Sequence, residues 1–244
     1  MGEGVGNDAS LMPYISSCSI ACGGHVGDEN SIKETLRLAK QFGVKVGAHP
    51  AYPDPEHFGR KSMQLSNEEL EKSLVKQLTL FLKCCEQTNS PVNHIKPHGA
   101  LYNDLFHDPS KVEVFVAVMK TLFPQATLYC SPGSLIEKEA IRSGIHVKRE
   151  GFMDRTYNED GTLRSRLLKG AVLTDLKQVG SQVLSIVKEQ VVPVFGGEFI
   201  PLSVQTLCLH GDHPQAVELI QSVDRLLKLN GMYKQLWFAQ QDQS

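Results

Sequence analysis

The sequence of 244 residues lacks the features that define several large protein classes. It has no run of roughly 20 apolar residues, the length that a membrane-spanning helix needs. Its opening segment, MGEGVGNDAS, has neither the basic nor the apolar region of a secretion signal. Its 25 Lys and Arg residues do not outnumber its 27 Asp and Glu residues, so no positive surplus favours a nucleic acid or an anionic membrane as partner. We therefore expect a cytoplasmic protein with neither kind of partner.

The six cysteines also lack the spacing of a metal-binding or disulfide-linked framework. They are scattered, and none forms a CxxC pair, so we interpret them as reduced, buried side chains. With 41% hydrophobic residues, the chain has enough apolar material for one core. We predict a single domain over residues 1–229 and a tail over residues 230–244 that docks through Trp237.

What the sequence does contain is an alternation of short apolar runs with longer segments of helical periodicity, which predicts an α/β fold. The predicted strands are 14–22, 44–48, 92–96, 126–130, 145–148 and 204–209. The predicted helices are 29–42, 67–85, 110–122, 134–142, 174–188 and 214–229. Gly43 suits the end of the first helix, and Ser66 with Glu69 has capping-box spacing. The apolar run 191–195 before two glycines indicates a small hairpin.

Four polar motifs follow the predicted strands: ACGGHVGD (21–28), GAHP (47–50), HIKPHGALYN (94–103) and LHGD (209–212). In an α/β barrel, the carboxyl ends of the strands share the face that carries the active site. Several imidazoles at such positions are hard to explain as independent core residues, so we predict that they line one cavity. These residues are His25, His49, His94, His98 and His210.

Charged residues accompany the imidazoles. Asp28, Lys96 and Asp212 lie in the same motifs, which gives one site the carboxylate, imidazole and ammonium groups that acid–base chemistry uses. Strand alternation places Lys96 on the side of His94 and opposite to Ile95. Asp28 also suits a helix N-cap, because it directly precedes the first predicted helix, and both roles can coexist.

Three arginines are candidate anion-binding residues. Arg155 and Arg166 lie in EGFMDRTYNEDGTLRSR (150–166), which has the composition of a long active-site loop. Arg60 lies in FGRKSM (58–63), after GAHPAYPD. A guanidinium group can clamp a carboxylate or phosphate in a bidentate manner. The alternative for Arg155 and Arg166 is surface ion pairing.

Longer segments extend these motifs: SIACGGHVGDENS, GVKVGAHPAYPDPEHFGRKSM, HIKPHGALYND, EGFMDRTYNEDGTL and LCLHGDHPQAV. They occur in the order of the LamB/YcsF family, which the chain resembles over nearly its whole length, and such a set is far more specific than one short signature. The resemblance implies a TIM-like (β/α)7 barrel related to the glycoside hydrolase/deacetylase type. The family usually opens with a strand close to DLNCD followed by GE, whereas this chain begins at Met1-Gly2-Glu3. The first barrel strand and an acidic site residue are therefore expected to be missing from this chain, either because the chain is truncated or because the first strand is predicted to begin too late.

The resemblance further implies the A subunit of an ATP-dependent 5-oxoprolinase, which acts with the B and C subunits on a small-molecule substrate, the lactam 5-oxoproline, and yields L-glutamate. The sequence has no GxxxxGK[ST] loop, so ATP is expected to act through the complex. A lactam is poorly electrophilic. Its opening requires that the carbonyl oxygen be stabilised or phosphorylated and that the departing nitrogen be protonated.

For this reaction we predict two sets of site residues. In the catalytic set, His25, His49 and His210 with Asp212 form the polar centre, Lys96 stabilises oxyanion charge, and His98 donates or accepts a proton. The substrate-binding set is Asp28, Arg60, His94, Tyr102, Arg155 and Arg166.

Two alternatives remain open. A divalent-metal-dependent amide hydrolase or deacetylase would use imidazoles and a carboxylate as ligands, with His25, His49 and His210 as candidates. The one HxxxH spacing, His94 to His98, contains Pro97 and is not a helical pair, so the metal signal in the sequence is weak. The other alternative is a non-catalytic protein of the complex that binds a lactam or a sugar.

Overall fold

The computed structural model describes residues 1–233, and the predicted docking residue Trp237 lies outside this range. The chain divides into two compact units, Met1–Val147 and a second that begins at Lys148. The single domain expected over residues 1–229 remains a prediction. Within residues 1–233, no helix is both long and apolar enough to cross a membrane.

The first unit alternates strands with helices in the predicted order. Its strands are β1 (Ser17–Ala21), β2 (Lys45–His49), β3 (Val92–Ile95) and β4 (Thr127–Cys130), and neighbouring strands are parallel. Its helices are α1 (Asp8–Leu11, followed by a 3-10 turn), α2 (Glu29–Gln41), α3 (Asn67–Thr88), α4 (Gly99–Asp104), α5 (Pro109–Leu122) and α6 (Leu135–Arg142). The short helices α1 and α4 have no counterpart in the sequence prediction.

The second unit contains the remaining elements. They are β5 (Val147–Phe152, which begins at the last residue of the first unit), α7 (Leu176–Leu184, followed by a π-helical turn over Ser185–Glu189), β6 (Val191–Pro193), β7 (Phe199–Pro201), β8 (Thr206–Cys208) and α8 (Ala216–Leu229). Strands β5 and β8 are parallel, with Gly151 opposite Leu207. Strands β6 and β7 form the predicted hairpin. Parallel strands and helices alternate in both units, which confirms the predicted α/β class.

Local hydrogen bonds explain where the helices begin. Asp28 accepts a hydrogen bond from the backbone N–H of Ser31, whose hydroxyl in turn bonds the backbone of Asp28. Ser66 and Glu69 form the predicted capping box in the same reciprocal way. Asp28 is exposed, and its observed contacts are those of an N-cap. Its predicted role in substrate binding stays a prediction.

Strand alternation gives the sheet of the first unit two different faces. One face packs against the helices and is apolar; its residues include Ile20, Ala48, Ile95 and Leu128. The intervening residues point to the other face, where the Ser19 hydroxyl lies 3.0 Å from Nε2 of His94 and the His94 ring stacks on Tyr129. The fold therefore buries polar groups on the face that the helices do not cover.

The position of His94 depends on the absence of a side chain at Gly47. A Cβ at Gly47 would overlap with both the carbonyl oxygen and the imidazole ring of His94. The ring therefore lies directly against the backbone of β2. Glycine is required here for close approach, because the φ angle of Gly47 is not in the left-handed region.

Gly47→Ala should destabilise the protein by about 3 kcal/mol, the upper end of the cost of overpacking a core, because the backbone of β3 would have to move. Gly180→Ala in α7 is the matched control. Its Cβ would meet only the flexible end of Leu226, at 3.3 Å, and alanine favours the helix by up to about 1 kcal/mol. Urea unfolding of both variants measures the difference. Equal stability of the two would contradict the close contact between Gly47 and His94.

Candidate functional site

Three histidines of the first unit meet where parallel strands end. His49 is the last residue of β2, His25 lies in the loop after β1, and His98 lies just after β3. The rings of His25 and His98 are stacked with centroids 3.7 Å apart and an interplanar angle of 3°. The His49 ring lies edge-on to His98, with centroids 4.8 Å apart. Three of the four polar motifs therefore come together at one edge of the sheet.

Backbone carbonyls fix the orientation of two of these rings. Nδ1 of His49 lies 2.7 Å from the carbonyl oxygen of Lys96, and Nε2 of His98 lies 2.9 Å from the carbonyl oxygen of Phe58. Because a carbonyl oxygen only accepts, both of these nitrogens carry hydrogen and donate. The other two nitrogens, Nε2 of His49 and Nδ1 of His98, lie 3.0 Å apart. They face each other across the centre of the cluster.

A carboxylate completes the cluster. Oε1 of Glu3 lies 3.1 Å from Nε2 of the fully buried His25. Burial raises the pKa of Glu3, but the N-terminal ammonium group and the hydrogen bond from His25 outweigh burial and hold this pKa well below its usual range. Glu3 is therefore a carboxylate, and His25 donates to it. One ligand atom each from Glu3, His49 and His98 lies within 4.8 Å of the others.

The loop between β2 and α3 extends to this cluster. Phe58 has a left-handed backbone with φ of 55°, which is unusual for a residue with a bulky side chain. This conformation places the Phe58 carbonyl on His98, while its ring packs edge-on against His25 with centroids 4.9 Å apart. Gln77 of α3 ties the start of the segment down, because its amide both donates to and accepts from the backbone of Ala51.

Burial and nearby charge keep the imidazoles of His49 and His98 neutral. Burial lowers the pKa of His98 to about 3, and the charge of His25 acts in the same direction. Burial, the charge of His98 and the charge of Lys96 hold the pKa of His49 well below its ordinary value. At neutral pH, these rings therefore act as hydrogen-bonding or ligand groups rather than as cations.

Cationic and aromatic residues from the predicted sets lie in the same unit. The guanidinium of Arg60 lies 4.9 Å from the centroid of the Phe58 ring, and its charge contributes to the lowered pKa of His98. The ammonium of the buried Lys96 lies 6.0 Å from the centroid of Tyr102. The Tyr102 hydroxyl accepts a hydrogen bond from Ser131 at 3.1 Å. The predicted roles of Arg60, Lys96 and Tyr102 remain predictions.

The second unit contains a polar group centred on His210. Nδ1 of His210 lies 2.9 Å from both carboxylate oxygens of the fully buried Asp154, and the His210 backbone N–H donates to the same carboxylate at 3.1 Å. Burial raises the pKa of Asp154, but the charge and hydrogen bonds of His210 outweigh it and set this pKa at about 2. Asp154 is thus ionised, and it holds the hydrogen of His210 on Nδ1.

Asp154 is positioned by a network of backbone contacts. The side-chain N–H groups of Gln182 lie within 3.3 Å of the carbonyl oxygens of Phe152, Met153 and Arg155. The buried Arg155 donates from its guanidinium to the carbonyl of Ala171, 3.1 Å away, which is a contact within the loop.

Two further predicted residues lie in this second unit. The positive charge of Arg166 contributes to the lowered pKa of Asp154. Asp212 is partly exposed in the turn that follows His210. Like the other predicted site residues, Arg155, Arg166 and Asp212 keep their roles as predictions.

Sequence reasoning did not select Glu3, Asp154 or Phe58. The signals were weak but present, because Glu3 lies in the GE pair that follows the usual first strand of the LamB/YcsF family, and Asp154 lies inside the motif EGFMDRTYNEDGTL. Neither carboxylate belongs to a short spacing pattern with its histidine, which is 22 residues away for Glu3 and 56 for Asp154. Phe58 contributes a backbone carbonyl and a left-handed φ angle, and its residue type predicts neither.

Fold and site together define an α/β protein with an imidazole–carboxylate cluster at the carboxyl end of its parallel strands. The chain belongs to the LamB/YcsF family, whose model matches residues 1–241. Among its relatives is the 5-oxoprolinase A subunit of Acinetobacter baumannii (strain ACICU), which is 39% identical over 228 residues, covering 93% of this chain and 90% of the relative. The protein of the same name from Pyrococcus furiosus is 37% identical over 228 residues, covering 93% and 89%.

A solved structure is similar over almost the whole chain. The lactam utilization protein from Thermus thermophilus is 34% identical and superposes with a TM-score of 0.88, covering 96% of this chain and 95% of that one. The α/β fold class predicted from the sequence is therefore shared with a protein of known structure.

The hydrogen bonds of the second unit predict opposite tautomers for two histidines close in sequence. His210 should carry its hydrogen on Nδ1, because Asp154 accepts it. His213 should carry its hydrogen on Nε2, which lies 3.1 Å from the carbonyl of Leu173, because its Nδ1 accepts from the backbone N–H of Gln215. Nitrogen-15 NMR of the imidazole rings distinguishes the two forms. The same tautomer in both residues would contradict the hydrogen bond from Nδ1 of His210 to Asp154.

Proposed function

We propose that this chain is the A subunit of an ATP-dependent 5-oxoprolinase and takes part in opening 5-oxoproline to L-glutamate. The observation that carries the proposal is the similarity to two proteins named as the 5-oxoprolinase A subunit, at 39% and 37% identity over 93% of this chain. The name of the Thermus thermophilus protein, which refers to lactam utilization, points to the same substrate class.

The charges of the first unit suit this substrate. 5-Oxoproline is a small lactam with one carboxylate, so it is an anion at neutral pH. Arg60 lies beside Phe58 and His98, and the charge of Lys96 acts on His49. These two cations stand next to His49 and His98, which are neutral at this pH, and Glu3 is the carboxylate of the same cluster. The cluster therefore offers positively charged groups to a ligand carboxylate and hydrogen-bonding groups to a ligand amide. We assign lactam binding to this cluster.

We assign proton transfer to His210 of the second unit. Asp154 fixes the hydrogen of this ring on Nδ1, which leaves Nε2 with the lone pair of a general base, and the side chain of His210 is 21% exposed. After it accepts a proton from water, the same nitrogen can act as a general acid. The carboxylate of Asp154 stabilises the charged ring that forms in between.

ATP enters this proposal through partner subunits. The chain has no GxxxxGK[ST] loop, and the names of its relatives, which describe one part of a larger enzyme, imply an assembly. We propose that the B and C subunits complete the ATP-dependent enzyme with this chain. Phosphorylation of the lactam carbonyl oxygen would overcome its poor electrophilicity, and hydrolysis would then yield glutamate and inorganic phosphate.

The direct experiment is reconstitution. Purified chain, the B and C subunits, 5-oxoproline and ATP should release glutamate and ADP together, whereas each protein alone should release no glutamate. Omission of this chain should abolish glutamate release if it is an essential part of the enzyme. Full activity of the B and C subunits without this chain would overturn the proposal. Binding of 5-oxoproline without any contribution to turnover would instead support the non-catalytic alternative.

Two substitutions in the second unit refine this experiment. Asp154→Asn should lower kcat of the reconstituted enzyme about 100-fold or more, because His210 would lose the partner that fixes its hydrogen. Asp224→Asn is the matched control, since it makes the same chemical change at a surface ion pair with Lys228 and should alter stability by less than about 1 kcal/mol. Circular dichroism checks that both variants fold. Equal kcat for the two would remove His210 from the mechanism.

A further inference from the structure

The contact between His49 and His98 has no hydrogen atom available to bridge the two rings when both are neutral. Both rings donate to backbone carbonyls from one nitrogen, Nδ1 in His49 and Nε2 in His98. A neutral imidazole has only one N–H group. The two nitrogens that face each other at 3.0 Å would then both be acceptors, with their lone pairs opposed. Some positive species must lie against both lone pairs for this arrangement to be stable.

An extra proton is a poor solution. It would place a positive charge on two rings that both lie against His25, and His98 is only 5% exposed. Burial and the charges of His25 and Arg60 lower the pKa of His98 and outweigh the carboxylate of Glu3, which raises it; burial and the charge of Lys96 likewise lower the pKa of His49. Removing a charge from water and adding it beside like charges are both unfavourable.

We propose that Glu3, His49 and His98 bind one divalent first-row transition metal ion. This inference concerns the cluster to which lactam binding is assigned above, but it does not rest on that assignment. Two nitrogens that each lie about 2.1 Å from one ion are about 3.0 Å apart at the right angle of octahedral coordination and about 3.4 Å apart at the tetrahedral angle. The observed separation of Nε2 of His49 and Nδ1 of His98 is 3.0 Å.

The surroundings of the two imidazoles match those of metal ligands. A histidine that binds a metal usually donates its other N–H to a carbonyl or a carboxylate, which fixes the ring. His49 does so to Lys96 and His98 does so to Phe58. Glu3 supplies the negative charge, and its carboxylate is itself bonded by His25. Glu3 and His49 are only partly buried, so an ion has access from solvent.

The donor set decides the class of metal. Two imidazoles and one carboxylate suit zinc, iron, cobalt or nickel, whereas magnesium and calcium prefer oxygen ligands. Three protein ligands leave coordination positions open for water or for a ligand oxygen. The candidate ligands predicted from the sequence were His25, His49 and His210. The proposed set keeps His49 and adds Glu3 and His98, whereas His25 donates a hydrogen bond to Glu3. Such an ion would polarise a bound carbonyl group.

The test is a titration of the metal-free chain with cobalt(II), in the absence of substrate and partner subunits. The expected result is one cobalt(II) per chain, with visible absorption bands of a site that contains nitrogen and oxygen ligands. Zinc(II) should displace the cobalt and abolish these bands. Absence of the bands would overturn the proposal, and NMR detection of a doubly protonated ring in the pair would identify a shared proton instead.

Matched variants locate the ion. Glu3→Gln keeps the size of the side chain but removes its charge, and it should weaken cobalt(II) binding at least about 100-fold. His57→Gln removes a different histidine that pairs with a carboxylate, Asp54, at 2.8 Å on the surface, and it should leave the affinity unchanged. Circular dichroism reports whether each variant folds. Equal affinity of Glu3→Gln and the unchanged chain would overturn the assignment of Glu3.

The outcome is independent of the proposed function. If the chain binds no metal but the reconstituted enzyme releases glutamate, the metal site is wrong and the function stands. If cobalt(II) binds as expected but no glutamate is released, the metal site stands and the function is wrong.

Discussion

Two backbone carbonyls set the arrangement on which the site depends. Lys96 at the end of β3 and Phe58 after β2 each accept a hydrogen bond from one imidazole. Because each ring has one such donor, the remaining nitrogens of His49 and His98 must face inward with their lone pairs. The chemistry of the cluster therefore follows from the main chain as much as from the side chains. A change that moved either carbonyl would release a ring without altering any histidine.

The fold supplies these carbonyls by several linked constraints. The apolar face of the sheet packs against the helices, so β2 and β3 are fixed in register and their ends lie together. Gln77 extends from α3 to hold Ala51. The left-handed turn at Phe58 then directs its carbonyl back toward His98. Such backbone strain costs roughly 1 to 3 kcal/mol and is retained where the surrounding structure enforces it.

Sequence periodicity was sufficient for the elements but not for the contacts within the site. The predicted strands and helices lie close to the observed ones because apolar positions recur with the periods of strand and helix. The predicted proximity of His25, His49 and His98 also follows from sequence, since parallel strands end at one edge. Glu3 and Asp154 could not be identified in this way. Each reaches its histidine through tertiary folding, and the only sequence signal for either lies in a family motif.

The proposed function requires that the lactam binds at the cluster of His25, His49 and His98. A crystal structure of the chain with bound 5-oxoproline would show whether it does. We expect density for the lactam against these imidazoles, with its carboxylate toward Arg60 or Lys96. A lactam bound elsewhere in the first unit, with no contact to any of the three rings, would contradict it.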